Sequence, residues 1–188
     1  MILYQISRPF SYLNIKHPEK WKFDWLIPFF LAIISVFLCF VFRHNINIFG
    51  EYGLIDHILS LVQILPGFYI AALAAISTFN RIDIDQYMPN PTPQIDIIIS
   101  GEKNKIKLTR RRFLCMLFAF LATDSILLAL VSIGALISAE AFKTIIPIQF
   151  HQHVSYIFIF FYFLIFWQLL TATLLGLYYL GDRLHHPD

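Results

Sequence analysis

Charge is the first thing this chain has little of: 14% of its 188 residues are Asp, Glu, Lys or Arg, where soluble domains carry about 25%. That shortage excludes an ordinary water-soluble fold. Cysteine is almost absent too, with only Cys39 and Cys115, both in apolar surroundings that suit small hydrophobic fillers. A disulfide framework and a thiol-redox pair are both excluded. Also missing are a nucleophile elbow, a His-Glu-x-x-His zinc motif, a glycine loop for phosphate and a pair of membrane aspartates. The expectation is a protein that binds, senses or conducts, without enzymatic activity and without a cofactor.

What is plentiful is apolar surface, at 58% hydrophobic and 17% aromatic residues. It falls in four blocks, 25–42, 54–79, 113–137 and 154–180. Each approaches or exceeds the ~20 residues that cross a ~30 Å hydrocarbon core. No small-residue cleavage site follows the first block, so it reads as a retained anchor. The fold class expected is an all-α integral membrane protein of four transmembrane helices, with a small cytoplasmic β-hairpin between the second and third. Its organisation is a cytoplasmic N-terminal segment 1–23, a first helix pair 24–79, a cytoplasmic loop 80–112, a second helix pair 113–181 and a cytoplasmic tail 182–188.

Basic residues give the orientation. Arg8, Lys16, Lys20 and Lys22 precede the first block; Arg81, Lys103, Lys105, Lys107, Arg110, Arg111 and Arg112 lie between the second and third; Arg183 follows the fourth. The other two connections hold one each, Arg43 and Lys143. Both termini and the middle loop are therefore expected in the cytoplasm, and the membrane is expected to be an inner one. Trp21, Trp25, Tyr178 and Tyr179 mark block ends as interfacial anchors. The arginine triplet reads as a topological stop in contact with lipid. Without interleaved aromatics, the basic residues do not support direct nucleic-acid binding.

In the loop, Met88-Pro89-Asn90-Pro91-Thr92-Pro93 cannot be helical and predicts an extended strap. Gln94–Ile99, a turn over 100–104, and alternating Lys105-Ile106-Lys107-Leu108 predict a hairpin. A lone hairpin is marginal in water, so it should pair with the alternating Ile2–Ser7 segment, a neighbouring subunit or a soluble partner. Pro66-Gly67 predicts a break in the second span. Gly67, Ala71 and Ala75 recur every four residues, and Ala172 and Gly176 repeat the spacing, a pattern that lets helices approach closely within the chain or between subunits.

Polar residues inside the blocks are sparse. Asp124 lies twelve residues past Arg112, about 18 Å along a helix and hence near the bilayer midplane, where a carboxylate is costly and a functional candidate. Gln63, Gln168, Thr171 and Thr173 are its expected hydrogen-bond partners; a water-filled pathway is the sharper reading. At the opposite side, Asp56, His57, His151 and His153 supply ligand types without the four-ligand geometry of a stable zinc site. No metal is expected there, although histidines can charge as pH falls.

The run Leu65-Pro66-Gly67-Phe68-Tyr69-Ile70-Ala71-Ala72 onward to Asn80-Arg81, then the proline strap, then Leu108-Thr109-Arg110-Arg111-Arg112-Phe113-Leu114, resembles KwaA, the small membrane subunit of the bacterial Kiwa antiphage defence system. The resemblance covers mainly the second and third spans and the loop between them. It implies a non-enzymatic four-span homo-oligomer, a tetramer, acting as sensor or scaffold with KwaB, a cytoplasmic DNA-binding effector. The surface expected to dock such an effector comprises Ile97, Ile99, Lys103, Lys105, Lys107, Arg110, Arg111 and Arg112, because an exposed strand edge and a basic cluster coincide there. The competing class is a small ion channel or transporter with Asp124 lining its pathway.

Overall fold

The computed structural model describes residues 2–50, 52–78, 80, 82–99, 102–145 and 147–183. Four helical stretches are long and apolar enough to cross a membrane: Lys22–Val41, Leu54–Thr78, Arg110–Phe142 and Ile148–Gly181. The protein is thus a mostly helical, multi-pass membrane protein. In order, α1 is Ile2–Ser7 and a 3₁₀ segment covers Arg8–Asn14. A wide turn, Lys22–Leu26, leads into α2, Ile27–Val41. Next come α3, Leu54–Val62; α4, Leu65–Thr78; the single turn α5, Ile82–Asp85; β1, Gln94–Ile99; and β2, Glu102–Lys107. The chain continues with α6, Arg110–Ile145, and α7, His151–Tyr178, which ends in a wide turn at Tyr179–Arg183.

The break between α3 and α4 has a local cause. Pro66 has no N–H, so the carbonyl of Val62 loses its helical partner and the helix interrupts at residues 63–64. The third and fourth spans are longer than the apolar blocks that announce them. α6 continues to Ile145 and α7 starts at His151, so most of the expected connection at 138–153 is helix.

α6 is the centre of the bundle. Leu114, Leu117, Phe120, Leu121 and Leu128 are buried, against Ile55 and Val62 of α3, Ile76 of α4, and Ile159 and Leu169 of α7. Half of the third span is buried but only about a fifth of the first and second. The outer faces of α2 and α4 are left for lipid or for another chain. Since lipid tails are as apolar as leucine, the helices are held together by close packing and interhelical hydrogen bonds. Among those bonds are Trp167 Nε1 to Ser35 Oγ at 2.9 Å, Tyr69 with Thr173 at 2.6 Å and Ser132 with Tyr162 at 2.8 Å.

The spans are staggered. Gln168 donates to the carbonyl of Asp24 at 2.9 Å and Thr171 to that of Phe23 at 3.1 Å, so the first span starts level with these α7 residues. α7 then continues past that level, beside the first turns of α6. The N-terminal segment fills part of the resulting space, with Tyr12 stacked on Phe120 at 5.1 Å and Phe10 edge-on to the same ring.

At this end of the bundle β1 and β2 pair antiparallel, Gln94 opposite Lys107 and Ile99 opposite Glu102. Of the three candidate partners for the hairpin, the Ile2–Ser7 segment is helix and supplies no strand. Lys16 pairs with Gln94 instead, through two backbone hydrogen bonds of 2.7 and 3.1 Å. The proline strap is non-helical, as its composition requires, but it is not the extended segment expected: it bends at Asn90 and Pro91, and Thr92 Oγ1 donates back to the carbonyl of Met88 at 3.1 Å. It is stitched to the base of α6 by Met88 N to Leu108 O, Leu108 N to Pro93 O and Arg110 N to Gln86 O.

Candidate functional site

The basic residues of the hairpin region divide into two kinds. Lys105 and Lys107 are exposed on β2. Arg110 is buried, and Arg111 makes a two-pronged ion pair with Asp85, Nε to Oδ1 at 2.6 Å and Nη2 to Oδ2 at 2.9 Å. A further 2.8 Å bond from Arg111 Nη1 reaches the carbonyl of Ile76. It thereby satisfies a carbonyl that the end of α4 leaves without a helical partner. This contact holds Asp85 below the usual carboxylate range. Arg112 is half-buried. Arg111 is therefore built into the joint between α4, α5 and α6, and of the triplet Arg112 is left partly open. Ile97 is half-buried. The side chains of Ile99 and Lys103 lie outside the described residues.

A second cluster was not anticipated. Lys20 forms an ion pair with Asp24 in which both side chains are under a tenth exposed. The Lys20 Nζ also sits 3.9 Å above the ring of Tyr12, whose hydroxyl donates to Asp24 Oδ1 at 3.1 Å. Burial lowers the Lys20 ammonium pKa against the pull of Asp24, and it raises the Tyr12 phenol, to which the Asp24 charge adds. With Gln168 on its backbone carbonyl, Asp24 ties together the N-terminal segment, the first span and the fourth. The sequence carries a signal for this, Lys and Asp at i and i+4 before an apolar run, but it is easily absorbed into a count of basic residues.

Asp124 is buried on α6, and its Oδ2 has no hydrogen-bond partner among the described residues. None of its four expected partners serves it. Gln63 is exposed, Gln168 and Thr171 reach the start of the first span, and Thr173 bonds Tyr69. Asp124 follows Phe120 by one helical turn, and Phe120 carries Tyr12, which bonds Asp24. Asp124 therefore lies one helical turn further along α6 than its contact with the N-terminal segment, against which the opening turns of α6 pack.

At the opposite end, Asp56 accepts from Tyr52 N at 3.2 Å, steadying a turn where Tyr52 has φ 59°. His57 and His153 are exposed, and His151 is half-buried beside a cleft of about 310 Å³ lined by Phe49, Phe142 and Phe158. Among the described residues no three His, Cys, Asp or Glu side chains are placed to share a metal ion.

The two small-residue ridges are in different surroundings. Ala172 is buried, and a Cβ at Gly176 would stand 3.3 Å from both Leu117 and Phe118. Gly67 and Ala71 are exposed, Ala75 is half-buried, and nothing lies within 4 Å of a Cβ built at Gly67.

No protein-family model, no curated protein and no solved structure matches the chain.

Proposed function

We propose that the chain is a non-enzymatic membrane sensor or scaffold subunit of a bacterial antiphage defence complex. In this reading it oligomerises in the inner membrane and docks a cytoplasmic DNA-binding effector of the KwaB kind. The hairpin end is cytoplasmic, since it holds most of the Lys and Arg. The observation that carries the reading is how the hairpin is mounted. Lys16 takes the outer side of β1 at Gln94, and the strap and α6 fix the hairpin's base. That leaves β2, with exposed Lys105 and Lys107, as the side available to another strand or an acidic surface. The homo-oligomer contact falls to the open face of α4 around Gly67 and Ala71.

The test is recovery of the effector from native membranes. Replacing residues 97–107 with a flexible Gly/Ser linker should abolish copurification and defence while the four spans still insert, because the linker can bridge the second and third helices. Lys105→Glu with Lys107→Glu should weaken association more at low than at high salt, as screening requires. Undiminished recovery from the linker variant would sink the docking surface.

A small channel or transporter is the second reading, favoured by the partnerless Oδ2 of buried Asp124. A carboxylate so placed calls for water or a proton. Ion flux through liposomes that Asp124→Asn abolishes would establish it, and absence of flux from the wild type would remove it.

A further inference from the structure

We propose that the groove between the start of the first span and the end of α7 binds one membrane phospholipid, with an acyl chain along the groove and its phosphate at the rim. The stagger creates the space. Because the first span begins level with Gln168 and Thr171, the last turns of α7 have no first-span helix beside them. A groove of about 870 Å³ remains, with Ile27 and Leu31 on one wall and Leu170, Leu174 and Tyr178 on the other. Its volume falls in the range of small-molecule sites, about 300–1,000 Å³. Within a bilayer an apolar groove is not filled by water, and left empty it would cost its lining atoms their dispersion partners. A lipid chain is the material at hand.

The rim supplies the second half of the argument. The groove meets another cavity, of about 570 Å³, and Ile15, His17 and Lys20 line both. That second cavity is less apolar than the groove, with Lys16, Trp21 and Trp25 in its wall. Trp21 and Trp25 are about half exposed, where indoles favour the headgroup layer, and neither makes a hydrogen bond to a described residue. His17 Nδ1 accepts from Glu19 N at 3.2 Å, so a neutral ring carries its proton on Nε2 and can donate it. Lys16 holds Asp96 with one ammonium proton at 2.7 Å and is more than half exposed, with further donors to offer. The acidic groups nearby are already answered, Asp24 by Lys20, Glu19 by Lys22 and Asp96 by Lys16. What is left over is a set of donors, and the lipid group that fits donors alone is the phosphate diester. A neutral glyceride lacks it.

Native mass spectrometry of the full chain provides the test, after delipidation in mild detergent and addition of an equimolar mixture of phosphatidylethanolamine, phosphatidylglycerol and diacylglycerol of equal chain length. One phospholipid per chain should be retained about tenfold over diacylglycerol, and the ratio of the two phospholipids reports any further headgroup preference. Leu174→Trp fills the groove from a position already exposed, and Leu31→Trp fills it from the facing wall. Both should cut phospholipid retention about tenfold with an unchanged thermal midpoint. Lys16→Ala with His17→Ala should erase the preference over diacylglycerol. Equal retention of diacylglycerol by the wild type, or full phospholipid retention in both tryptophan variants, would overturn the proposal.

Discussion

Two lysine–carboxylate pairs within residues 19–24 form a natural experiment. Lys20–Asp24 is under a tenth exposed on both sides, whereas Lys22–Glu19, at 3.0 Å, leaves 47% and 63% of its side chains in the open. The same chemistry, within the same six residues, has opposite weight. In the buried pair each charge depends on the other, since neither has water to fall back on. In the exposed pair water and salt compete for both partners. The two small-residue ridges repeat the lesson without charge: a Cβ added at Gly176 would meet Leu117 and Phe118, and one added at Gly67 would meet no described neighbour within 4 Å.

The sharpest way to break this contrast is Asp24→Ala, which leaves the Lys20 ammonium buried without its partner and should destabilise the fold by about 3–5 kcal/mol. Thermal unfolding in detergent would show it as a large drop in midpoint. A double change, Lys20→Met with Asp24→Leu, should recover most of that loss, because the apolar pair has nothing to leave uncompensated. No recovery would mean that the cluster's geometry, including the Tyr12 bond, matters more than its charge balance.

Next in size is the pair of ridges. Gly176→Leu forces a side chain into the α6–α7 contact and should cost about 1–3 kcal/mol by overpacking. Ala71→Leu adds bulk to an open face, so the chain's own thermal midpoint should stay where it is while the assembly size in mild detergent falls. Unchanged assembly would assign the α4 face to lipid.

The smallest effect is expected at Glu19→Gln. The Lys22 ammonium holds the Glu19 carboxyl below its ordinary range, so the pair's contribution is present above that range and fades as pH falls through it. Exposure makes the contribution slight. The midpoint at neutral pH should not move measurably, with or without salt, and a clear shift would show that the N-terminal segment is more enclosed than its surface suggests.

Much of the fold was legible because it follows from local rules. Four apolar runs of spanning length become four spans, Pro66 interrupts the second by removing one donor, the triple proline of the strap forbids helix, and the β-branched run from Gln94, a turn and the alternating Lys105 to Leu108 make a hairpin. Ile2–Ser7 defeated the same reasoning, since an alternating hexamer is short enough to be strand or helix and its neighbours decide. The site was less legible. Asp124 stood out as a buried carboxylate, yet only the packing shows that Gln168 and Thr171 turn to the first span and Thr173 to Tyr69. Lys20 and Arg111 counted as topology signals and turned out to be structural partners of Asp24 and Asp85.

By itself, then, the sequence determined the number of spans, the place of the helix break and the hairpin, because hydrocarbon thickness and backbone hydrogen bonding act on consecutive residues. Tertiary structure alone decided which lysine is buried, which arginine is clamped, which glycine ridge is filled and where the first span stands against the fourth. Those outcomes depend on helices meeting at a particular stagger, and residues 12, 24, 120 and 168, distant in the chain, have no periodicity that announces their encounter.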